Sequence, residues 1–122
     1  GTDMFRLILD ELLVTAHGAL AALFLDWEGE TVELVCDRDL SDHELRILGA
    51  YQGIFLTRLR EMCSIIGAGS PQRFKIEFAE MAVLSYDVKD GYFIVLLLDG
   101  SFNEGVAWRR MERCRERLIA EM

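Results

Sequence analysis

Proline occurs once in this 122-residue chain, histidine twice and cysteine three times, and the 13 basic residues are outnumbered by 21 acidic ones. Each scarcity excludes something. One proline, and ten glycines without a period, rule out collagen and proline-rich linkers. Cys36, Cys63 and Cys114 are odd in number, widely spaced and lack a CxxC motif, so they form neither a disulfide framework nor a dithiol redox site. They are expected to be reduced and mostly buried. A net charge of −8 disfavours nucleic acid, whose phosphates demand a dense cationic surface. No polybasic stretch flanks an apolar helix, so membrane-surface binding lacks support as well. The longest apolar runs, Ala19–Leu25 and Tyr92–Leu98, are seven residues each. A membrane-crossing helix needs about 18. The N-terminus lacks a basic segment followed by a small-residue cleavage site, which predicts a cytoplasmic protein. Gly1 reads as a residue added ahead of a natural start at Met4.

What is present is a globular composition, 52% hydrophobic and 28% charged, over a length that suits one domain spanning residues 1–122. Residues 3–16 predict a helix capped by Asp3 or Thr2. Its Phe5, Ile8, Leu9, Leu12, Leu13 and Ala16 recur at helical spacing, and Gly18 is the stop. Residues 19–27 and 31–36 predict two strands joined at Glu28-Gly29. Ser41-x-x-Glu44 is a capping box that opens a long helix over 42–66. One stripe of that helix carries Leu45, Leu48, Phe55, Leu59, Met62 and Ile66, interrupted at Gln52. A second apolar set, Ile47, Ala50, Tyr51 and Ile54, is wider than one packing surface requires and implies a second partner. Gly67-Ala68-Gly69-Ser70-Pro71 ends the helix. Strands follow over 73–79, 82–88 and 92–98, the last two joined by the hairpin signal Asp90-Gly91. A second capping box, Ser101-x-x-Glu104, predicts a final helix to Ala120.

No catalytic constellation emerges. His17 sits at a helix exit and His43 at a helix start; neither has ligands at metal spacing, Asp37 and Asp39 belonging to a linker. Cys63 and Cys114 fall on apolar stripes and lack a base partner. Gly67-Ala68-Gly69-Ser70 follows a helix and lacks the GxxxxGK[ST] pattern of a phosphate loop. Neither a catalytic residue, a metal nor a cofactor is therefore expected. Arg109, Arg110, Arg113, Arg115 and Arg117 cluster on the final helix; the first two with Arg113 and Arg117 form a candidate patch for an acidic partner, weighed against a solvated face laced with Glu112 and Glu116. Phe102 and Trp108 read as core cover.

The ordered pattern α-ββ-α-βββ-α resembles the roadblock family of dynein light chains and bacterial small-GTPase regulators. Three stretches carry the resemblance: ALAALFLDWEGETVEL at 19–34, FKIEFAEMAVLSYDVKDGYFIVLLLDG at 74–100, and SFNEGVAWRRMERCRERL at 101–118, with Gly105 early in the last helix. It implies an α/β (α+β, profilin-like) fold. It also implies a homodimer whose long helices pack together and whose third strands pair into one ten-stranded sheet. The implied activity is binding of a small Ras-like GTPase as regulator or scaffold, with hydrolysis stimulated, where it is, by ordering the GTPase's own switch loops.

The expected architecture is a five-stranded, mixed but mainly antiparallel sheet of order 2-1-5-4-3, with helices 3–16 and 101–120 on one face and helix 42–66 on the other. Strand 73–79 has one polar face and should be an edge. The expected dimer surface is Ile47, Ala50, Tyr51 and Ile54 with Phe74 and Ile76. The alternative reading is a small-molecule sensor of the same fold, which Phe93, Val95 and Leu97 disfavour by filling the space between sheet and helix.

Overall fold

The computed structural model describes residues 2–37 and 39–122, with every side chain among them except that of Thr2. Gly1, read as an added residue, lies outside them, as does the capping side chain expected of Thr2. The elements run α1 (Thr2–Thr15), β1 (Ala19–Leu25), β2 (Thr31–Cys36), α2 (Asp42–Ile66), β3 (Arg73–Glu77), β4 (Met81–Lys89), β5 (Tyr92–Asp99) and α3 (Glu104–Ala120). Asp3 is no cap: it lies inside the first turn of α1, where a carboxylate meets the positive end of the helix dipole.

The sheet order is β2-β1-β5-β4-β3, with β1 and β5 adjacent at the centre as expected. Every pairing is antiparallel, so the expected mixed character is corrected. The reason lies in α2, which carries the chain from one edge strand to the other. β2 and β3 then run the same way at opposite edges, and β5 returns antiparallel beside β1. At the β4–β5 hairpin Asp90 (φ 54°) and Gly91 (φ 84°) both take the left-handed conformation that a two-residue turn between twisted strands demands.

Two apolar layers flank the sheet. One packs α1 and α3 against Phe24, Leu84, Ile94, Leu96 and Leu98; the other packs α2 against Leu23, Leu25, Val83, Phe93 and Val95. Alternation along β5 sends odd and even positions into different layers, so a strand apolar throughout serves both. Phe102 and Trp108 pack against the first layer, as expected of core cover. The N-cap of α2 is Ser41, whose side chain accepts from the Glu44 N–H at 3.2 Å. The N-cap of α3 is Asn103, not Ser101. Ser101 is held one step earlier, its hydroxyl donating to Asp99 Oδ1, while Asn103 accepts from the Val106 N–H.

Candidate functional site

Helix α2 sits unusually close to the sheet. Its buried line is Leu45, Gly49, Gln52 and Leu56. A Cβ on Gly49 would lie 2.5 Å from Leu25 Cδ2, and one on Gly53 would lie 3.0 Å from the Cα of Gly29 in the β1–β2 turn. The two glycines thus let the helix backbone approach β1 more closely than any side chain allows. Gln52, which interrupts the apolar stripe in the sequence, points inward: Ser85 Oγ of β4 donates to its Oε1 at 3.1 Å, and both residues are 1% exposed. A buried amide and hydroxyl satisfy one another here, so neither carries the full cost of an unpaired polar group.

This placement turns the flank of α2 toward β3 and leaves it uncovered. Phe55 (39% exposed), Leu59 and Met62 (49%) line an open groove of about 490 Å³ with Phe74 and Ile76. Beyond it, Leu40, Leu45 and Leu48 line a second groove, of about 530 Å³, with Phe78 and Met81. Of the expected dimer surface, Phe74 and Ile76 are therefore brought together with Phe55, Leu59 and Met62 rather than with Ile47, Ala50 and Ile54, while Tyr51 adjoins the groove through its ring, 6.4 Å from that of Phe55. Ala50 lies on the opposite flank, its backbone 3.5 Å from where a Cβ on Gly29 would stand. Ile47, Tyr51 and Ile54 are exposed along the outer face. Phe93 and Val95 are fully packed, as expected, whereas Leu97, expected to fill the same space, lines the 530 Å³ groove. The 530 Å³ groove is open and its polar side chains, Ser41, Glu44 and Glu80, sit exposed on the rim.

β3 is the edge strand beside these grooves. It ends at Glu77 rather than at 79, because the Phe78 N–H closes a tight turn onto the Met81 carbonyl at 2.8 Å. At its other end the Gln72 carbonyl accepts from the Asp87 N–H at 2.9 Å. Residues 72 and 78 thus face β4, and by the alternation of an antiparallel ladder the backbone groups of Arg73, Lys75 and Glu77 face outward.

The arginine cluster of α3 divides. Arg113 and Arg117 both bond Glu11 of α1, Arg113 at 3.1 Å, and so serve the α1–α3 contact. Arg115 donates to the Asp87 and Val88 carbonyls and lies over the Tyr86 ring. Arg109 and Arg110 are exposed, without an ion pair among the described residues. Asp87 has its carboxyl pushed above the ordinary value by burial, opposed by Arg60 and Arg115. Lys75 ion-pairs with Glu104 and Glu77; the hydrogen bond to Glu104 raises its pKa, and Lys75 in turn lowers that of Glu104.

His17 and His43 are both exposed. Among the described residues no three His, Cys, Asp or Glu side chains are grouped as a metal site, and no helix is long and apolar enough to cross a membrane. None of the three cysteines is in a disulfide, but only Cys114 is buried; Cys36 and Cys63 are half-buried, a correction to the expectation that most are inside. Burial pushes the Cys114 thiol up to about 12. Since the thiolate is the reacting form, iodoacetamide at pH 8 should leave Cys114 unmodified in the folded protein. Peptide mass spectrometry should find it alkylated only after denaturation.

No family model matches the sequence, and no curated protein matches it significantly. Solved structures do. An MglB structure described in a tetrameric arrangement has 18% identity to this chain and a TM-score of 0.88, covering 96% of this chain and 86% of its own. A Roadblock/LC7 domain from Streptomyces avermitilis has 12% identity and a TM-score of 0.87, covering 95% of each chain. Profilin II of Acanthamoeba castellanii has 13% identity and a TM-score of 0.66, covering 96% of this chain and 98% of its own. The chain accordingly has the α/β, profilin-like fold of MglB and Roadblock/LC7 domains.

Proposed function

We propose that this chain is a non-catalytic, cytoplasmic homodimer of roadblock type that binds a small Ras-like GTPase, as regulator or scaffold. One observation carries the reading: the uncovered apolar flank of α2 beside the open edge of β3. Phe55, Met62 and Ile66 are 39%, 49% and 66% exposed along one helix. Side chains of this kind in a row signal an interaction surface, because a monomer rarely leaves large contiguous apolar area in water. A second copy covers helix flank and strand edge together. The likeness in fold to MglB and Roadblock/LC7 domains, and the sequence resemblance to the roadblock family, support the GTPase as the further partner.

The reading assigns no reaction to the chain itself. Any effect on GTP hydrolysis comes from ordering the GTPase's own loops, since positioning and electrostatics carry phosphoryl transfer. Arg109 and Arg110 remain the candidate contacts for an acidic partner surface. The test is a pull-down with small Ras-like GTPases from a genome encoding this chain, each loaded with a non-hydrolysable GTP analogue or with GDP. Binding that prefers one nucleotide state is expected. Retention of none in either state, by a dimer whose folding is verified, rejects the GTPase reading.

A further inference from the structure

β2 is the strand at the other edge of the sheet. Its ladder with β1 fixes which of its backbone groups point outward. The Asp37 N–H donates to the Leu20 carbonyl at 2.8 Å, so the backbone of residue 37 faces β1. Alternation back along the register turns the backbone groups of Val35 and Glu33 inward as well, and those of Cys36 and Leu34 outward. A strand added at this edge must therefore accept from the Leu34 N–H. That donor is already taken. Glu33 Oε1 accepts from it at 3.2 Å, and the same oxygen accepts from Arg6 Nη1 of α1 at 3.3 Å. We propose that Glu33 is a block on the β2 edge: its carboxylate, held by Arg6, occupies the Leu34 N–H and keeps a second copy of this chain from adding its own β2 there.

The Glu33 side chain is only 15% exposed, although β2 lies at the margin of the sheet. It stands opposite Phe24 of β1, which belongs to the layer under α1 and α3, so it leaves the strand on the α1 side and folds over the edge to reach the next residue's N–H. A hydrogen bond to an ionised acceptor is roughly twice as strong as one to a neutral carbonyl, so an incoming strand offers less than it displaces. The ladder is irregular at the same place. Leu25 meets Thr31 and Phe24 meets Glu33, which leaves Val32 as an extra residue. Such a bulge twists an edge away from a flat partner. Without Glu33 the strand would be a good template: Thr31, Val32, Leu34, Val35 and Cys36 carry no charge and favour extended backbone. The occupant is a second copy because the edge matches itself. Turned through a two-fold, the outward groups of Leu34 and Cys36 in one chain meet the same groups in the other.

The block acts alike on a monomer and on a dimer, since it governs a further association step at β2. Glu33→Ala removes the acceptor. Glu33→Gln drops the charge but keeps an oxygen for both donors. In sedimentation velocity Glu33→Ala should form species absent from wild type, at least doubling the weight-average mass at high micromolar concentration, because each opened edge joins one more copy. Glu33→Gln should sediment as wild type does. Equal association by both variants would make charge, and not the occupied N–H, the block. A folded Glu33→Ala that sediments as wild type would mean that the edge is closed without Glu33. Either result overturns the proposal.

Amide hydrogen exchange at Leu34 locates the contact. In wild type this N–H should exchange at least about tenfold more slowly than in dilute Glu33→Ala, as a hydrogen bond to a charged acceptor gives. In the variant, protection should return as concentration rises and a second copy supplies a carbonyl. Association that leaves Leu34 unprotected would place the contact elsewhere and overturn the proposal. Should Glu33→Ala fail to fold, Glu33→Val, which suits a strand and also lacks an acceptor, carries the same two measurements.

Discussion

Phe55→Asp should convert the dimer to a monomer at micromolar concentration, while Ile54→Asp should weaken it far less. The contrast follows from where the helix turns its side chains. Phe55 lines the groove that α2 forms with Phe74 and Ile76. Ile54, 53% exposed, lies on the outer face. A two-fold contact repeats each substitution, so Phe55→Asp places two carboxylates in one apolar seam. Burying a charge without a partner costs about 3–5 kcal/mol, which corresponds to a dissociation constant raised roughly 100-fold or more. A carboxylate on the outer face keeps its water and carries little of that cost. Sedimentation velocity of the two variants, with circular dichroism to verify folding, decides it. Equal dissociation by both would move the seam to the outer face of α2, where the sequence alone places it.

That difference between sequence and structure has a definite physical origin. Reading α2 by hydrophobicity selects Leu45, Leu48, Phe55, Leu59, Met62 and Ile66 as the face toward the core, and of these Leu45 is the one fully buried. The line that is in fact buried contains Gly49 and Gln52, which no hydrophobicity scale counts as apolar. Glycine is there for close approach to Leu25 and glutamine for its bond to Ser85, and neither need is visible without the neighbouring strand. The apparent core stripe is thus partly the surface left uncovered. Elements dictated by local chemistry were legible: the Asp90-Gly91 turn, the Ser41 cap and the doubly apolar central strands all stand where the residues put them. The Asn103 cap was not, because the choice between Ser101 and Asn103 rests on Asp99 engaging the serine from the end of β5. The arginines of α3 looked alike in sequence. Only the packing of α1 shows that Glu11 engages Arg113 and Arg117 and leaves Arg109 and Arg110 exposed.

Gln52→Ala should destabilise the protein by about 2–3 kcal/mol, whereas the double change Gln52→Leu with Ser85→Ala should stay within about 1 kcal/mol of wild type. Truncation at 52 strips the buried Ser85 hydroxyl of its acceptor, and an unsatisfied buried polar group costs about 1–3 kcal/mol. It also leaves a hole under α2, adding the lost contacts of the missing atoms. Leucine fills nearly the same volume, and alanine at 85 removes the hydroxyl that needed a partner, so the double variant exchanges a satisfied polar pair for apolar contact. Gln52→Leu alone should fall between, since it fills the space but strands the serine. For a domain of this size about 1 kcal/mol moves the midpoint by about 4 °C, so the alanine variant should melt roughly 8–12 °C lower. Thermal melts at one protein concentration complete the double-mutant cycle, because association with a second copy raises the midpoint with the logarithm of concentration. Additive single and double effects would mean that the bond between Gln52 and Ser85 does not tie α2 to β4. The close seat of the helix would then rest on Gly49 and Gly53 alone, and Gly53→Val, driving a side chain into the Gly29 turn, would be the substitution that dislodges it.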